Sequence, residues 1–539
     1  MATSKETGLP VTSTVGSGGV FLRNATGLVR ELSGFDGFIV GFANLNILLG
    51  LTEGFAFGLY LFPGANLALA FAIAMPIVLC FAVVYSMFVS SMPRSGGEYV
   101  WVSRIISPPV GFAVNFYMTF VILSWVALNV TLIPSFFLPP FFHALGLQGW
   151  VSAVQTHFGQ LIIGTVLVVV YTALLMYGIK RLFRVMAVLF WLVTACTILW
   201  FVMMLFQSHS HVVTALQANW HTTPSSIIKA AASVGFTSAA APHLRNSVYG
   251  IMFGVTGFIG FWMMAYVGGE IKGARRSGAR AIMLTWAIGG AGFVVGALLI
   301  YHVYGAKFLN SINYLYNSAP DKYHLPLPPF VPSLALLLSG NRFVEALVSL
   351  GFLLTMLWII PSGFIFASRN MFAWSFDRLV PGWLADVNDR THSPVNVAIV
   401  GGVVTELLLL ATIYTSFWAD LVNLTGVMAI CFMLVSIAAV VFPYRRPDIF
   451  AKAPSWVQRR FGPVPLIGIV GVVSALCWLV VAYVAWTTPA IGGAVSWSSM
   501  LESAAAFLVA FPIYWFAKYY RRRTQGLDIG KAFAELPPE

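Results

Sequence analysis

Charged residues are scarce in this chain of 539 residues. Asp, Glu, Lys and Arg make up 9% of the residues, whereas 59% are hydrophobic. Soluble globular proteins carry about 25% charged residues, so this composition excludes a soluble protein. The apolar runs are continuous and do not alternate with polar residues, which excludes a membrane β-barrel. The predicted fold class is an all-α polytopic membrane protein, because helices satisfy their own backbone polar groups in lipid.

Cysteine is also rare, with four residues in the whole chain. Cys80, Cys196, Cys431 and Cys477 all fall inside apolar runs, at spacings that suit neither a metal site nor a disulfide framework. We therefore expect packing roles for them, and neither a metal nor a cofactor. The net charge is +12, but no basic surface domain is present to use it, so we expect no nucleic-acid partner.

Apolar runs of about 20 residues are long enough to cross a membrane as helices, and twelve such runs are bounded by charge, Pro or Gly. They cover residues 36–62, 66–91, 109–141, 158–178, 183–206, 247–270, 281–304, 343–368, 395–416, 419–443, 464–487 and 498–518. We number these predicted transmembrane helices as spans one to twelve. The start of the chain is polar and lacks the order of a cleaved signal peptide, so we expect a cytoplasmic tail there.

The positive charges are distributed asymmetrically between the two sides of the predicted bundle. If the N-terminus is cytoplasmic, twenty-five of the thirty Lys and Arg residues lie in cytoplasmic segments. The other five are Lys229, Arg245, Lys307, Lys322 and Arg342. Positive residues accumulate in cytoplasmic loops, so the pattern predicts a multi-pass plasma-membrane protein with both termini in the cytoplasm. The long outer connections, 207–246 and 305–342, are expected to act as lids or caps.

Two of the spans are interrupted by glycine. Span one contains Gly37, Gly41 and Gly50, and span six contains Gly250, Gly254, Gly257 and Gly260. Such glycines permit close helix packing, but they also free backbone groups for a substrate. The second interpretation is favoured because an inverted five-plus-five repeat places its broken helices first and sixth. Polar Asn44, Asn46, Glu53 and Thr256 in the same stretches add support, because polar groups in a membrane face a cavity or a partner.

A polar motif follows span two. Residues 92–100 read Met-Pro-Arg-Ser-Gly-Gly-Glu-Tyr-Val, and Ser103-Arg104 and Pro109-Val110-Gly111-Phe112 come after them. Related stretches follow span six, at Gly269-Glu270-Ile271-Lys272, and span eight, at Phe376-Asp377-Arg378. Over about residues 25–445, the chain resembles the amino acid permeases of the amino acid-polyamine-organocation (APC) superfamily.

This resemblance implies the leucine-transporter fold, with twelve helices, a five-plus-five inverted repeat and broken helices one and six. The repeats would cover about 34–206 and 247–443, helices eleven and twelve would lie in 444–518, and cytoplasmic tails would occupy 1–33 and 519–539. The substrate would lie between the two broken helices. The implied substrate-binding residues are Asn44, Asn46, Ile47, Gly50, Thr256, Gly257, Phe258, Gly260 and Trp262. Relatives usually carry Gly-x-Gly in span one, whereas Ile47-Leu48-Leu49 stands here, so bulky side chains are expected to crowd the approach.

The implied function is secondary active transport of an amino acid or related small amine by alternating access. Phe258 and Trp262 are candidate gates, although aromatic residues in a helix bundle usually serve packing. In relatives that carry cationic substrates, a carboxylate can occupy the position of Trp262, so Trp262 favours a neutral, apolar substrate. The alternative is a non-transporting membrane subunit or sensor within a larger assembly, and a homo-oligomer remains open. We expect no enzyme, because the spans hold no His pair, Cys and His set or paired carboxylates.

Glu53 is the proton-coupling candidate, because it is the titratable group nearest to the predicted pathway. Sodium-coupled relatives hold their ion partly with hydroxyls of span eight. Thr355 and Ser362 of this chain are seven residues apart on one helical face, so they form a candidate ion site. A hard cation takes several oxygen ligands, and the paired hydroxyls of a good sodium site are absent. The sequence therefore favours proton coupling or exchange over sodium symport.

The charge asymmetry leads to a prediction of topology. After replacement of the four native cysteines, a membrane-impermeant thiol reagent applied to intact cells should label Lys322→Cys and not Arg276→Cys. Labelling of Arg276→Cys together with protection of Lys322→Cys would contradict the predicted orientation.

Overall fold

The computed structural model describes residues 30–236, 244–388, 390–391, 393–415, 424–488 and 504–537. The first half of the chain contains α1 (Gly34–Leu45), α2 (Ile47–Glu53), α3 (Leu59–Leu61), α4 (Leu67–Ser91), α5 (Glu98–Ile105), α6 (Pro108–Leu132), α7 (Leu138–Ala144), α8 (Gln148–Gln155), α9 (His157–Met176), α10 (Ile179–Phe206), α11 (His209–Trp220) and α12 (Pro224–Ser233). Single π-helical turns join α2 to α3 at Gly54–Gly58 and α6 to α7 at Ile133–Phe137.

The second half contains α13 (Leu244–Tyr249), α14 (Ile251–Gly257), α15 (Ala274–Tyr304), α16 (Ala306–Ser318), α17 (Val331–Leu334), α18 (Arg342–Phe376), α19 (Val395–Tyr414), α20 (Leu424–Arg445), α21 (Pro447–Phe450), α22 (Leu466–Thr487) and α23 (Ala510–Gln525). Strands β1 (Arg460–Phe461) and β2 (Val464–Pro465) pair as an antiparallel hairpin before α22. Short 3₁₀ helices occupy Met263–Val267, Pro320–Lys322, Ala335–Leu338, Gly382–Ala385 and Ile529–Ala534.

Within the described residues, ten helical stretches are long and apolar enough to cross a membrane. They coincide with ten of the predicted spans, which makes the chain a multi-pass membrane protein. The other two predicted spans differ in kind. The sixth, 247–270, is divided into short helices, and the twelfth, 498–518, lies partly outside the described residues. The count of twelve spans therefore stays a prediction.

The helix of span one breaks at Asn46. This residue has φ 44° and ψ 93°, a left-handed backbone that Asn tolerates better than most residues. Its Oδ1 accepts a hydrogen bond from the Leu49 amide at 3.3 Å and so caps α2. Its Nδ2 donates to the Thr355 carbonyl oxygen in α18 at 3.0 Å. The side chain thus ends one helix, starts the next and attaches the break to α18.

The helix of span six breaks after Gly257. No α-helix resumes before Ala274, and Gly260 adopts φ 98°. A Cβ atom at Gly260 would lie 1.6 Å from Asn44 Nδ2, so only glycine lets the two broken segments approach this closely. Asn44 Nδ2 donates to the Ile259 carbonyl oxygen at 3.3 Å, and its Oδ1 accepts from Ser362 Oγ at 3.0 Å. Asn44 therefore joins both breaks to α18.

Glycines in α15 serve close helix packing. A Cβ added at Gly289, Gly292 or Gly296 would lie within 2.4 Å of a side-chain carbon of span one. The three side chains that fill this groove are Leu45, Ile47 and Leu51. Small residues let membrane helices approach closely and gain van der Waals contact, so this groove positions the break of span one.

Two ion pairs are buried at one end of the bundle. This end carries residues 92–107, 268–273 and 369–381, and we call it the basal end. Arg369 Nε and Nη2 each donate to one Glu270 carboxylate oxygen at 2.8 Å. Arg104 Nη2 lies 2.8 Å from Asp377 Oδ2, which also accepts from the Tyr99 hydroxyl at 2.7 Å. All four charged side chains are at most 1% exposed. These contacts tie α18 and the segment after it to α5 and to the segment before α15.

The C-terminal segment packs on the same end. Phe533 is 5% exposed, and the Arg104 guanidinium carbon lies 4.8 Å from the centre of its ring. Arg94 Nε donates to the Pro537 carbonyl oxygen at 2.8 Å. The predicted cytoplasmic tail, 519–539, therefore includes a segment that is folded against the basal end.

The buried ion pair leads to a stability prediction. Arg369→Gln leaves the Glu270 carboxylate buried without its cation, so we expect a loss of about 3–5 kcal/mol of unfolding free energy. The control is Arg446→Gln, which removes a surface pair with Asp448, whose side chain is 59% exposed, and should cost about 0–1 kcal/mol. Thermal unfolding of the two purified proteins in one detergent measures the difference. Equal effects would show that burial of the Arg369 pair adds nothing.

Candidate functional site

A cavity of about 350 Å³ lies between α1 and α2 on one side and α6, α14 and α18 on the other. Most of its lining is apolar. Six lining residues carry a hydroxyl, amide or carboxyl group: Asn44, Glu53, Tyr60, Asn129, Thr256 and Thr425. The cavity begins at the two helix breaks, at Asn44 and Ile259, and extends toward Tyr60 and Leu61, away from the basal end.

The predicted site residues divide into two groups. Those that line the cavity are Asn44, Gly50, Glu53, Thr256 and Gly257. Those outside its lining are Asn46, Ile47, Phe258, Gly260, Trp262, Thr355 and Ser362. Asn46, Gly260 and Ser362 instead build the breaks and attach them to α18.

The aromatic residues after the break in span six are packed into the bundle. Trp262 is 1% exposed, and its ring lies 4.8 Å from that of Phe432 and 5.5 Å from that of Phe81. Phe258 is also 1% exposed, with its ring 5.5 Å from that of Phe293. In this conformation both rings serve packing, and a role as gates stays a prediction.

The bulky residues that replace Gly-x-Gly in span one crowd the cavity less than expected. Ile47 packs against Gly292 and Leu48 is 1% exposed, so of the three only Leu49 lines the cavity. Within the described residues, the amides of Ile47 and Leu48 donate no hydrogen bond. The break thus leaves two unpaired backbone donors, next in sequence to the lining residue Leu49.

Glu53 is the carboxylate of the cavity. No Lys, Arg or His from the described residues lines the same space. Among those residues, the Glu53 side chain also has no hydrogen-bond donor and no ion pair. An unpaired carboxylate in an apolar cavity favours a ligand that brings a positive charge or a proton.

The hydroxyls of the candidate ion site differ in their surroundings. Thr355 Oγ1 is buried and has no hydrogen-bond partner within the described part of the chain. Ser362 Oγ already donates to Asn44 Oδ1. The two hydroxyls therefore do not form a pair of free ligands in this conformation.

A third buried carboxylate, Glu98, lies at the basal end. Glu98 Oε2 accepts from the Tyr85 hydroxyl at 3.3 Å and from the Tyr266 hydroxyl, and its Oε1 accepts from Asn115 Nδ2 at 2.8 Å. Burial raises the pKa of Glu98 to about 7. This cluster and the two ion pairs are buried at the basal end, and none of their residues lines the cavity.

Several lining residues were missed by the sequence interpretation. Trp125 and Asn129 of α6, Tyr60 of α3 and Thr425 of α20 line the cavity. Asn129 carries the signal that identified Asn44, since it is a polar residue inside an apolar span. Trp125 and Tyr60 carry no such signal, because aromatic residues occur throughout the spans.

Comparison with known families agrees with this architecture. Residues 33–511 match the family model described as amino acid permease. The chain belongs to the amino acid permease family. This match confirms the resemblance seen in the sequence motifs, and it extends past residue 445 into the region of spans eleven and twelve.

Three curated proteins are similar to parts of the chain. An uncharacterized amino-acid permease of Schizosaccharomyces pombe is 27% identical over 204 residues, 37% of this chain and 33% of that protein. A mitochondrial cationic amino acid transporter of Arabidopsis thaliana is 23% identical over 207 residues, 38% and 30% of the two chains. A branched-chain amino acid permease of Bacillus subtilis is 28% identical over 158 residues, 29% and 31%. The chain thus spans about a third of the length of each relative.

Substitutions of Asn46, which does not line the cavity, and of Asn129, which does, should have different effects. Asn46→Ala removes a buried cap and a bond to α18, so we expect a loss of about 1–3 kcal/mol of unfolding free energy. Asn129→Ala should leave stability nearly unchanged and alter the thermal stabilisation given by a panel of amino acids, since Asn129 faces the cavity. Thermal unfolding of both variants, with and without the panel, measures this. The reverse pattern would place the ligand at Asn46.

Proposed function

We propose that this chain is a secondary active transporter that moves an amino acid or a related small amine across the plasma membrane by alternating access, with both termini in the cytoplasm. The observation that carries the proposal is the cavity at the two helix breaks, in a bundle whose basal end holds two buried ion pairs. Membership of the amino acid permease family supports it. Discontinuous helices that expose backbone groups beside a cavity are the usual binding site of such transporters.

The chemistry of the lining favours a substrate with an amino group and an apolar body. Glu53, in the lining, can pair with an ammonium group. The unpaired amides of Ile47 and Leu48, next in sequence to the lining residue Leu49, are the nearest backbone donors for a carboxylate. The remaining surface, with Leu49, Ile359 and Trp125 among its residues, suits an aliphatic or aromatic side chain. The names of the relatives include both branched-chain and cationic amino acids. We favour the branched-chain type, because a cationic side chain would leave a second positive charge without a carboxylate in this cavity.

Alternating access in this proposal opens the basal end after the opposite end has closed. The Glu270 pair with Arg369 and the Asp377 pair with Arg104 would separate in that step. Tyr60, Phe57 and Trp125 line the cavity toward the opposite end, so they are the aromatic residues best placed to close over a substrate.

The proposal includes coupling to protons, or exchange, with Glu53 as the carrier. Its carboxylate lies in the cavity without a cation, so a proton or a substrate ammonium can neutralise it in turn. Sodium coupling is less favoured, because Ser362 is engaged by Asn44 and leaves Thr355 as the one unpaired hydroxyl of the candidate ion site.

Uptake into proteoliposomes tests both parts of the proposal. The wild-type protein should accumulate an apolar amino acid under an inward proton gradient or exchange it for internal amino acid. Glu53→Gln should abolish the response to pH, because the amide cannot carry a proton at this position. The control is Glu345→Gln, which changes a glutamate in the first turn of α18, outside the cavity lining.

Three outcomes would count against the proposal. Sodium-driven uptake without a response to pH would remove proton coupling, as would an unaltered pH profile in Glu53→Gln. Absence of both uptake and amino acid binding in well-folded protein would favour a non-transporting subunit or sensor with the same fold.

A further inference from the structure

A second cavity, of about 280 Å³, lies at the basal end, away from the candidate substrate site. Four cationic side chains line it: Lys180, Arg181, Arg184 and Arg390. Two carboxylates, Glu31 and Glu270, also contribute to its wall. We call this space the basic pocket.

The basic pocket is built by specific contacts between distant segments. Ser393 Oγ donates to the Leu175 carbonyl oxygen at 2.6 Å and holds the loop after α18 against the end of α9. Gly178 has φ 111°, and a Cβ there would lie 2.9 Å from the Thr391 carbonyl oxygen, so glycine permits the loop to approach. Leu32 pairs with Ile271 and closes the opposite wall. These contacts fix the positions of three chain segments around the pocket.

Its positive charge is only partly balanced. Glu270 is already bound in bidentate fashion by Arg369, and Lys180 Nζ lies 3.8 Å from Glu31. Within the described residues, the side chains of Arg181, Arg184 and Arg390 have no hydrogen-bond acceptor and no ion pair. Three arginines around one cavity therefore offer guanidinium donors, a group that suits phosphate oxygens.

The N-terminus of α10 adds to this electrostatic preference. The amides of Ile179 and Lys180 donate no hydrogen bond within the described chain, because the first bond of the helix runs from Arg181 to the Gly178 carbonyl oxygen. Unpaired amides and the helix dipole at a helix start both favour an anion. The amides and the arginine side chains thus favour the same kind of ligand, an anion.

An apolar face continues from the basic pocket along α10. Arg184, Val188 and Trp191 follow one another at helical spacing, and Val188 and Trp191 are 60% and 61% exposed. In a membrane-spanning helix, an exposed apolar face contacts acyl chains. The pocket therefore lies where the headgroup of a lipid would be when its chains lie along α10.

We propose that the basic pocket binds a phosphate group, supplied by the headgroup of an anionic phospholipid. The apolar face of α10 favours a lipid over free phosphate, because it binds the part of the ligand that free phosphate lacks. This proposal does not depend on the identity of the transported substrate.

Thermal unfolding of the purified full chain in detergent tests the proposal. Phosphatidylglycerol should raise the unfolding temperature more than phosphatidylcholine, whose phosphate is neutralised by choline. Arg181→Gln combined with Arg184→Gln should lose at least half of this difference, whereas Arg181→Lys combined with Arg184→Lys should keep most of it. The matched control, Arg459→Gln with Arg522→Gln, removes two exposed arginines that do not line the pocket and should retain the difference.

Inorganic phosphate alone forms the second arm of the experiment. If it stabilises the protein as strongly as phosphatidylglycerol, and Arg181→Gln with Arg184→Gln removes the effect, the phosphate site stands and its ligand is the soluble anion. Arg390→Gln repeats the test from the other wall, should the double variant fail to fold. Equal losses in the pocket and control variants, or no difference between the two lipids together with no effect of phosphate, would overturn the proposal.

Discussion

Backbone groups that are freed by a helix break are expensive in a membrane, since lipid offers them no hydrogen bonds. Asn44 and Asn46 meet this constraint with two side chains. Asn46 caps the second helix of span one and binds the Thr355 carbonyl, while Asn44 bridges the Ile259 carbonyl and Ser362. Both breaks are thereby attached to α18, and the cavity begins at these attached segments, at Asn44 and Ile259.

Closure of the basal end depends on the balance between the attraction within its buried ion pairs and the cost of removing their charges from water. Desolvation of a buried ion pair consumes much of the free energy that its attraction supplies, and removal of one partner leaves a costly unpaired charge. When both partners of such a pair become hydrated together, each recovers its solvation. Ion pairs such as Glu270 with Arg369 can therefore hold the basal end firmly closed and still permit opening at a modest net cost, as a transporter of the proposed type requires.

Ten of the twelve predicted spans coincide with membrane-length helices of the described residues, because bilayer thickness fixes the length of an apolar run. The two breaks could be located because glycine and asparagine interrupt apolar spans there. The direction of each side chain could not. Trp262 follows Gly260, whose φ is positive, and its ring packs against Phe81 and Phe432 and does not line the cavity. Ile47 turns toward Gly292, a neighbour 245 positions away in sequence. Asn129 was overlooked because span three contains no break to draw attention to it.

The last described residues of the chain lie against a part of the molecule that is expected to move. Phe533 covers the Arg104 guanidinium, and Arg94 holds the Pro537 carbonyl. Any motion that separates Arg104 from Asp377 must also alter the surroundings of Phe533. The C-terminal segment therefore reports on conformation, and a small environment-sensitive dye near residue 533 would detect opening of the basal end. A bulky fusion protein or rigid affinity tag attached just after residue 537 would press on the same contacts and shift the equilibrium between the closed and open basal end.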